Sequence, residues 1–150
     1  MNSLHILLVF HLLAAVIWVG GHLLLSIMIL PGVLKRKDVD TLLDFEKRYE
    51  VIGLPALAVL VITGVWMAYL YGVTISKWFS FSNAIENVVS LKLLLLGCIV
   101  ALALSAQFRV IPGLKKGEHR LFEMSCHIIL VTTLSILMLI LGSFIRYGGI

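Results

Sequence analysis

Four long apolar stretches alternate with polar connections along the chain: residues 4–30, 51–71, 88–106 and 121–144. Each has about 19 residues or more, enough for a helix rising 1.5 Å per residue to cross roughly 30 Å of hydrocarbon. A lone strand in lipid would leave its backbone N–H and C=O groups unpaired, so the stretches are read as helices. The pattern predicts an all-α, integral membrane four-helix up-and-down bundle forming one domain over residues 1–150. The first stretch lacks a basic n-region, is too long for a signal peptide and precedes no small-residue cleavage site, so it is assigned to the mature fold. Pro31-Gly32 and Pro112-Gly113 are expected to end the first and third helices. Pro55 is placed in the first turns of the second, where its missing N–H matters little.

Composition agrees with a lipid-covered chain. Of the 150 residues 61% are hydrophobic and only 13% charged, and mean hydropathy is +1.08. Soluble domains carry about a quarter charged residues, so there is too little polar surface here to coat a globule in water. The net charge of +4 changes the picture only through its placement. Nine of the twelve Lys/Arg residues fall in the first connection (Lys35, Arg36, Lys37, Lys47, Arg48) and the third (Arg109, Lys115, Lys116, Arg120). That is a positive-inside signature placing both termini outside, N-out and C-out, in a bacterial inner membrane. No basic stretch interleaved with aromatics is present, which excludes a nucleic-acid partner. The second connection, with Trp78, Phe79 and Phe81 among Ser and Asn, reads as a segment lying at the outer headgroups. Cys98 and Cys126 sit in apolar runs without CxxC spacing, so they read as inert thiols.

Ionisable groups inside a membrane span mark function by default. Four qualify: His11 and His22 on the first helix, Lys92 on the third and His127 on the fourth. His11 and His22 are eleven residues apart, so their rings leave one face about 20° apart and roughly 16 Å apart along the axis. His22 lies eight residues before the inner end of its stretch and His127 about seven residues into the antiparallel fourth. Both therefore stand roughly 10–12 Å in from the same side. Two imidazoles at one depth in an apolar bundle suit the axial ligands of a haem b, and small residues (Gly20, Gly21, Gly64, Gly97) are candidates to let a macrocycle approach the backbone. For His11, Lys92, Met67 and Met138 are the candidate second ligands, with snorkelling to the headgroups the alternative role of Lys92. His5 and His119 read as interfacial. Glu118 and Glu123 are expected to pair with Arg120 or Lys116. Copper is the other metal that imidazole and thioether would suit, although no Met-x-x-Met cluster is present.

These residues sit in a recognisable frame. His11-x6-Trp18-x-Gly20-Gly21 running on to Pro31, Phe45-Glu46-x-Arg48-Tyr49, Pro55, Gly64-x-Trp66 and Leu91-Lys92-Leu93 together resemble the CopD and HemJ-type membrane proteins over most of the chain. The HemJ resemblance implies a haem-b protoporphyrinogen IX oxidase with iron held by His11 and Lys92. The CopD resemblance implies copper transport or resistance. The sequence departs from the HemJ pattern at Arg120-Leu121-Phe122-Glu123, where an Asn is missing, and in the additional histidines His22 and His127. The leading expectation is a membrane cytochrome b with one or two haems on His11, His22, Lys92 and His127, passing electrons to a redox partner or oxidising a porphyrin-like or quinol substrate. HemJ-type oxidation and CopD-type copper handling are the alternatives, and a homodimer is left open.

Overall fold

The computed structural model describes residues 3–116 and 120–150. Its frame is four helices: α1 Ser3–Arg36, α2 Val39–Leu70, α3 Ala84–Leu114 and α4 Leu121–Tyr147, each long and apolar enough to span a membrane. No strand occurs among the described residues. His119 and Glu118 lie outside them.

The helices overrun their apolar stretches, for two physical reasons. The Pro-Gly pairs do not stop them. A proline lacks the N–H of the helical ladder, and its ring clashes with the carbonyl four residues back. Here each proline is preceded by a widened π-helical turn, Leu25–Ile29 before Pro31 and Ala106–Val110 before Pro112. Leu30 and Ile111 donate to the carbonyls five residues earlier, of Leu25 and Ala106. The wider turn takes up the strain, and α1 and α3 continue to Arg36 and Leu114.

The first connection is also shorter than expected. Lys37, in the left-handed region at φ 56°, ends α1. Asp38 then caps α2 by accepting from the Thr41 backbone N–H at 3.1 Å and its hydroxyl at 2.7 Å. The charged segment from Asp40 to Glu50 is thus helix, not loop, and Pro55 falls in the middle of α2 rather than in its first turns. At 32 residues, α2 is about 48 Å long, well beyond roughly 30 Å of hydrocarbon. Its charged turns stand at the bundle end that carries the basic residues, called here the basic end.

At the opposite end, Trp78 packs against Ala68, Val73 and Val89, while Phe79 and Phe81 are exposed and left-handed. The indole thus belongs to the bundle's end cap rather than to a surface anchor. Glu86, buried in the first turn of α3, accepts from the Ser80 hydroxyl at 2.6 Å and the Ser82 N–H at 3.3 Å. The chain's last residue returns to the same place, Asn87 donating to the Ile150 carbonyl at 2.8 Å.

Large apolar side chains such as Val16, Ile27, Val51, Phe108 and Phe122 point outward, as lipid contact requires. Inside, one apolar layer around Leu42, Val110, Leu114 and Leu121 closes the basic end. A second, around Trp18, Val19, Ile99 and Val131, fills the middle. The packing is unequal around the ring. α1 lies along α2, α3 along α4, and α1 meets α4, but the backbones of α2 and α3 barely approach each other. That loose seam positions the site.

Candidate metal centre

The space left between α2 and α3 is a cleft of about 140 Å³ in the basic half of the bundle. Trp18, Leu102 and Val131 line it on the side of the central layer. Glu46, Tyr49 and Glu50 of α2 and Gln107 of α3 line it toward the basic end. From α1 comes His22, and from α4 come Met124 and His127. The two imidazoles at matched depth are thus brought to one cavity.

Hydrogen bonding fixes both rings. His22 Nδ1 lies 2.8 Å from the Trp18 carbonyl, which can only accept, so Nδ1 carries the proton. His22 Nε2 has no partner among the described residues and keeps its lone pair. The ring is held between two others, Trp18 with centroids 4.5 Å away and Tyr49 edge-on at 5.4 Å. In His127, Nδ1–H donates to the Glu123 carbonyl at 2.9 Å, so Nε2 accepts from the Ser105 hydroxyl at 3.1 Å. A metal ligand is a neutral imidazole whose other N–H is anchored to a carbonyl or carboxylate. His22 meets that description as it stands, and His127 meets it once Ser105 lets go. Met124, buried, adds a soft thioether to the lining. Among the described residues no group of three His, Cys, Asp or Glu side chains converges as a metal site. The imidazole and thioether donors in the lining are those of His22, His127 and Met124.

Tyr49 was not singled out as a site residue by sequence reasoning, although it closes the motif Phe45-Glu46-x-Arg48-Tyr49. Its hydroxyl donates to the Trp18 carbonyl at 2.8 Å and touches His22 Nδ1 at 3.4 Å. A Cβ at either Gly21 or Gly53 would run into its ring. The role expected of Gly21, admitting a macrocycle, is therefore taken by a tyrosine. Gly64 similarly faces the His11 ring, while Gly20 and Gly97 meet nothing within 4 Å. Also missed were Ser105, Met124 and Glu46, whose importance depends on which helix faces turn toward the cleft.

His11 lies apart, toward the opposite end. Thr63 donates its own proton to the Val59 carbonyl at 2.6 Å and so accepts from His11 Nδ1–H at 2.8 Å. Lys92 is near enough for its charge to act on His11, and a Cβ at Gly142 would come within 3.3 Å of its Nζ. Neither lines the cleft of His22 and His127. The four candidate ligands thus fall in two groups, one at each end of Trp18, whose indole N–H donates to Ser135 at 3.2 Å.

The model of one protein family, described as copper resistance protein D, CopD, matches residues 43–145. The match takes in all of α3 and nearly all of α2 and α4, with Lys92, Met124 and His127, and stops short of α1 with His11 and His22. No curated protein and no solved structure matches the chain.

Proposed function

The chain belongs to the CopD family, and we propose on that premise that it is a copper-handling membrane protein whose cleft between α2 and α3 takes Cu(I) as its cargo. One observation carries this reading: His22 and His127, on separate helices and each with its proton anchored on Nδ1, line one intramembrane cavity beside Met124. Imidazole and thioether are donors that Cu(I) accepts, and Cu(I) tolerates low coordination. The family match places copper ahead of the haem expected from the sequence. The basic end is assigned to the cytoplasm by the excess of Lys and Arg there, so copper in the cleft would sit nearer the inner face.

A second reading rests on the two histidines that line the cleft from separate helices. At about 140 Å³ the cleft is smaller than the roughly 300–1,000 Å³ of pockets that enclose a sizeable organic ligand, so a macrocycle would need α2 and α3 to part further. The same two histidines would then hold a haem b, with Trp18 and Val131 supplying apolar wall. When bound, such a group would supply one-electron chemistry. The pair implied by the HemJ resemblance, His11 and Lys92, would serve a second haem at the other end.

Metal analysis and an absorption spectrum of protein purified in mild detergent from copper-supplemented cells test both. Stoichiometric copper that is lost in His22→Ala and in His127→Ala supports the first reading. A Soret band lost in the same variants replaces it with the second. A chain holding neither metal, even after anaerobic incubation with Cu(I), refutes the assignment of the cleft.

A further inference from the structure

The ligands assigned to the cleft, two neutral imidazoles and a thioether, carry no charge. A monovalent cation held by them alone keeps its full positive charge in a cavity whose neighbouring seam faces lipid. A bare charge in such surroundings is costly unless an opposite charge stands near it. The cleft contains one carboxylate whose bonding is incomplete. Glu46 lines the cavity with His22, Met124 and His127, and its Oε2 is buried with no hydrogen-bond partner. More than nine in ten buried polar groups find one, so an orphan oxygen asks for an explanation. Glu50, one turn further along α2, also lines the cleft but is exposed to the outside. The charges that act on Glu46 are the like charge of Glu50 and, with opposite sign, that of Lys115 in the turn after α3, with which it forms no ion pair among the described residues.

We infer that Glu46 is the counter-charge of the site, the residue that makes the cleft select a cation. Its unspent Oε2 supplies negative charge beside the neutral donors, so that cation and carboxylate enter low dielectric as a neutral pair. This deepens the copper reading and rests on it. It also assigns α2 a part in recognition, where α1 and α4 supply the imidazoles.

The test is anaerobic Cu(I) titration of the full chain in detergent against a chromophoric Cu(I) chelator. It compares the wild type with Glu46→Gln, Glu46→Asp, His22→Ala and His127→Ala, with Asp44→Asn as a control for surface charge on the same helix. Glutamine keeps the shape of glutamate and removes its charge, and aspartate does the reverse. The expected result is an affinity about tenfold or more weaker in Glu46→Gln, the scale of attraction between unit charges several ångströms apart in a partly buried site. Glu46→Asp should stay closer to wild type, and Asp44→Asn should match it. If Glu46→Gln binds within about twofold of wild type while the histidine variants lose Cu(I), the counter-charge is wrong and the copper reading stands. Equal losses in Gln and Asp would make Glu46 a packing residue and overturn the inference. If Glu46→Gln and both histidine variants bind as wild type does, the copper reading falls and takes the inference with it.

Discussion

Two adjacent glycines on α1 should respond to the same substitution with opposite signs. Gly20 has nothing within 4 Å of the place a Cβ would occupy, whereas at Gly21 that Cβ would land on the ring of Tyr49. Gly21→Ala must therefore push the phenol out of its seat. Displacement loses the hydrogen bond to the Trp18 carbonyl at 2.8 Å, a bond worth about 1 kcal/mol net. Forcing an extra methyl into a filled space adds about 1–3 kcal/mol. The expected destabilisation is about 2–4 kcal/mol, accompanied by a weakened hold on His22, since Tyr49 is one of its two ring neighbours. Gly20→Ala should be neutral or stabilising by up to about 1 kcal/mol, the helix-propensity difference between the residues. Unfolding in mixed detergent and SDS, followed by circular dichroism, measures both. Tyr49→Ala combined with Gly21→Ala supplies the internal check. Removing the ring removes the collision, so the double variant should be more stable than the sum of the singles predicts, by about 1 kcal/mol or more. Equal tolerance of alanine at 20 and 21, or strict additivity with Tyr49→Ala, would refute the seating of Tyr49 between Gly21 and Gly53.

Three further outcomes are expected. Ser105→Ala frees His127 Nε2 from its one hydrogen-bond donor among the described residues. Cu(I) affinity should then rise about 2- to 10-fold in the chelator competition, the equivalent of one net hydrogen bond no longer broken on binding, and a loss would argue against His127 as a ligand. Asp38 has its carboxyl held below the ordinary value of 3.8 first by the Thr41 hydroxyl and then by the Thr41 N–H. A lowered folded value means its contribution is present above about pH 4 and disappears as pH falls through that range. Asp38→Asn, a cap without charge, should therefore gain in thermal stability relative to wild type as pH falls from 7 to 3, and parallel curves would contradict this. Glu123 joins Arg109 of α3 to Arg120 at the start of α4. Glu123→Gln should cost about 0.5–1 kcal/mol in detergent unfolding and less in high salt, whereas a salt-independent loss would show that the pairs are not screened surface contacts.

What the sequence made legible was whatever depends on one helix at a time. Four spans follow from run length, and the shared depth of His22 and His127 follows from counting turns inward from one end. The boundaries were misread because Pro31 and Pro112 act as stops only in a ladder that cannot widen, and a π turn leaves no signature in hydropathy. Asp40 to Glu50 reads as a loop if charge means water-exposed coil, whereas these residues extend α2 toward the basic end and put Glu46 and Tyr49 against the cleft. The partners of the histidines were hidden for a different reason. Whether Ser105 faces His127, or Thr63 faces His11, depends on the rotation of two helices about their axes. In Tyr49 the signal was present within a quoted motif, but nothing in one dimension says that its ring fills the space left by two glycines on two helices.

Those glycines also account for where the cleft lies. Between membrane helices there is no hydrophobic drive to associate, and close packing along small residues takes its place. Gly21 and Gly53 seat Tyr49, and Gly64 admits His11, so α2 is drawn against α1 along much of its length. On the other side of the bundle, His127 reaches Ser105 and Glu123 reaches Arg109, which hold α4 against α3. Each pair is closed by its own contacts, and α1 with α4 joins the pairs on one side. α2 and α3 share no comparable seat, and the space between them is what remains. The side chains that line it, Glu46 on one wall and Gln107 on the other, are too polar for a lipid chain to satisfy. The seam that packing leaves open thus places the unpartnered Oε2 of Glu46 in one cavity with two imidazoles and a thioether, and this is why the ligand is sought there rather than beside His11.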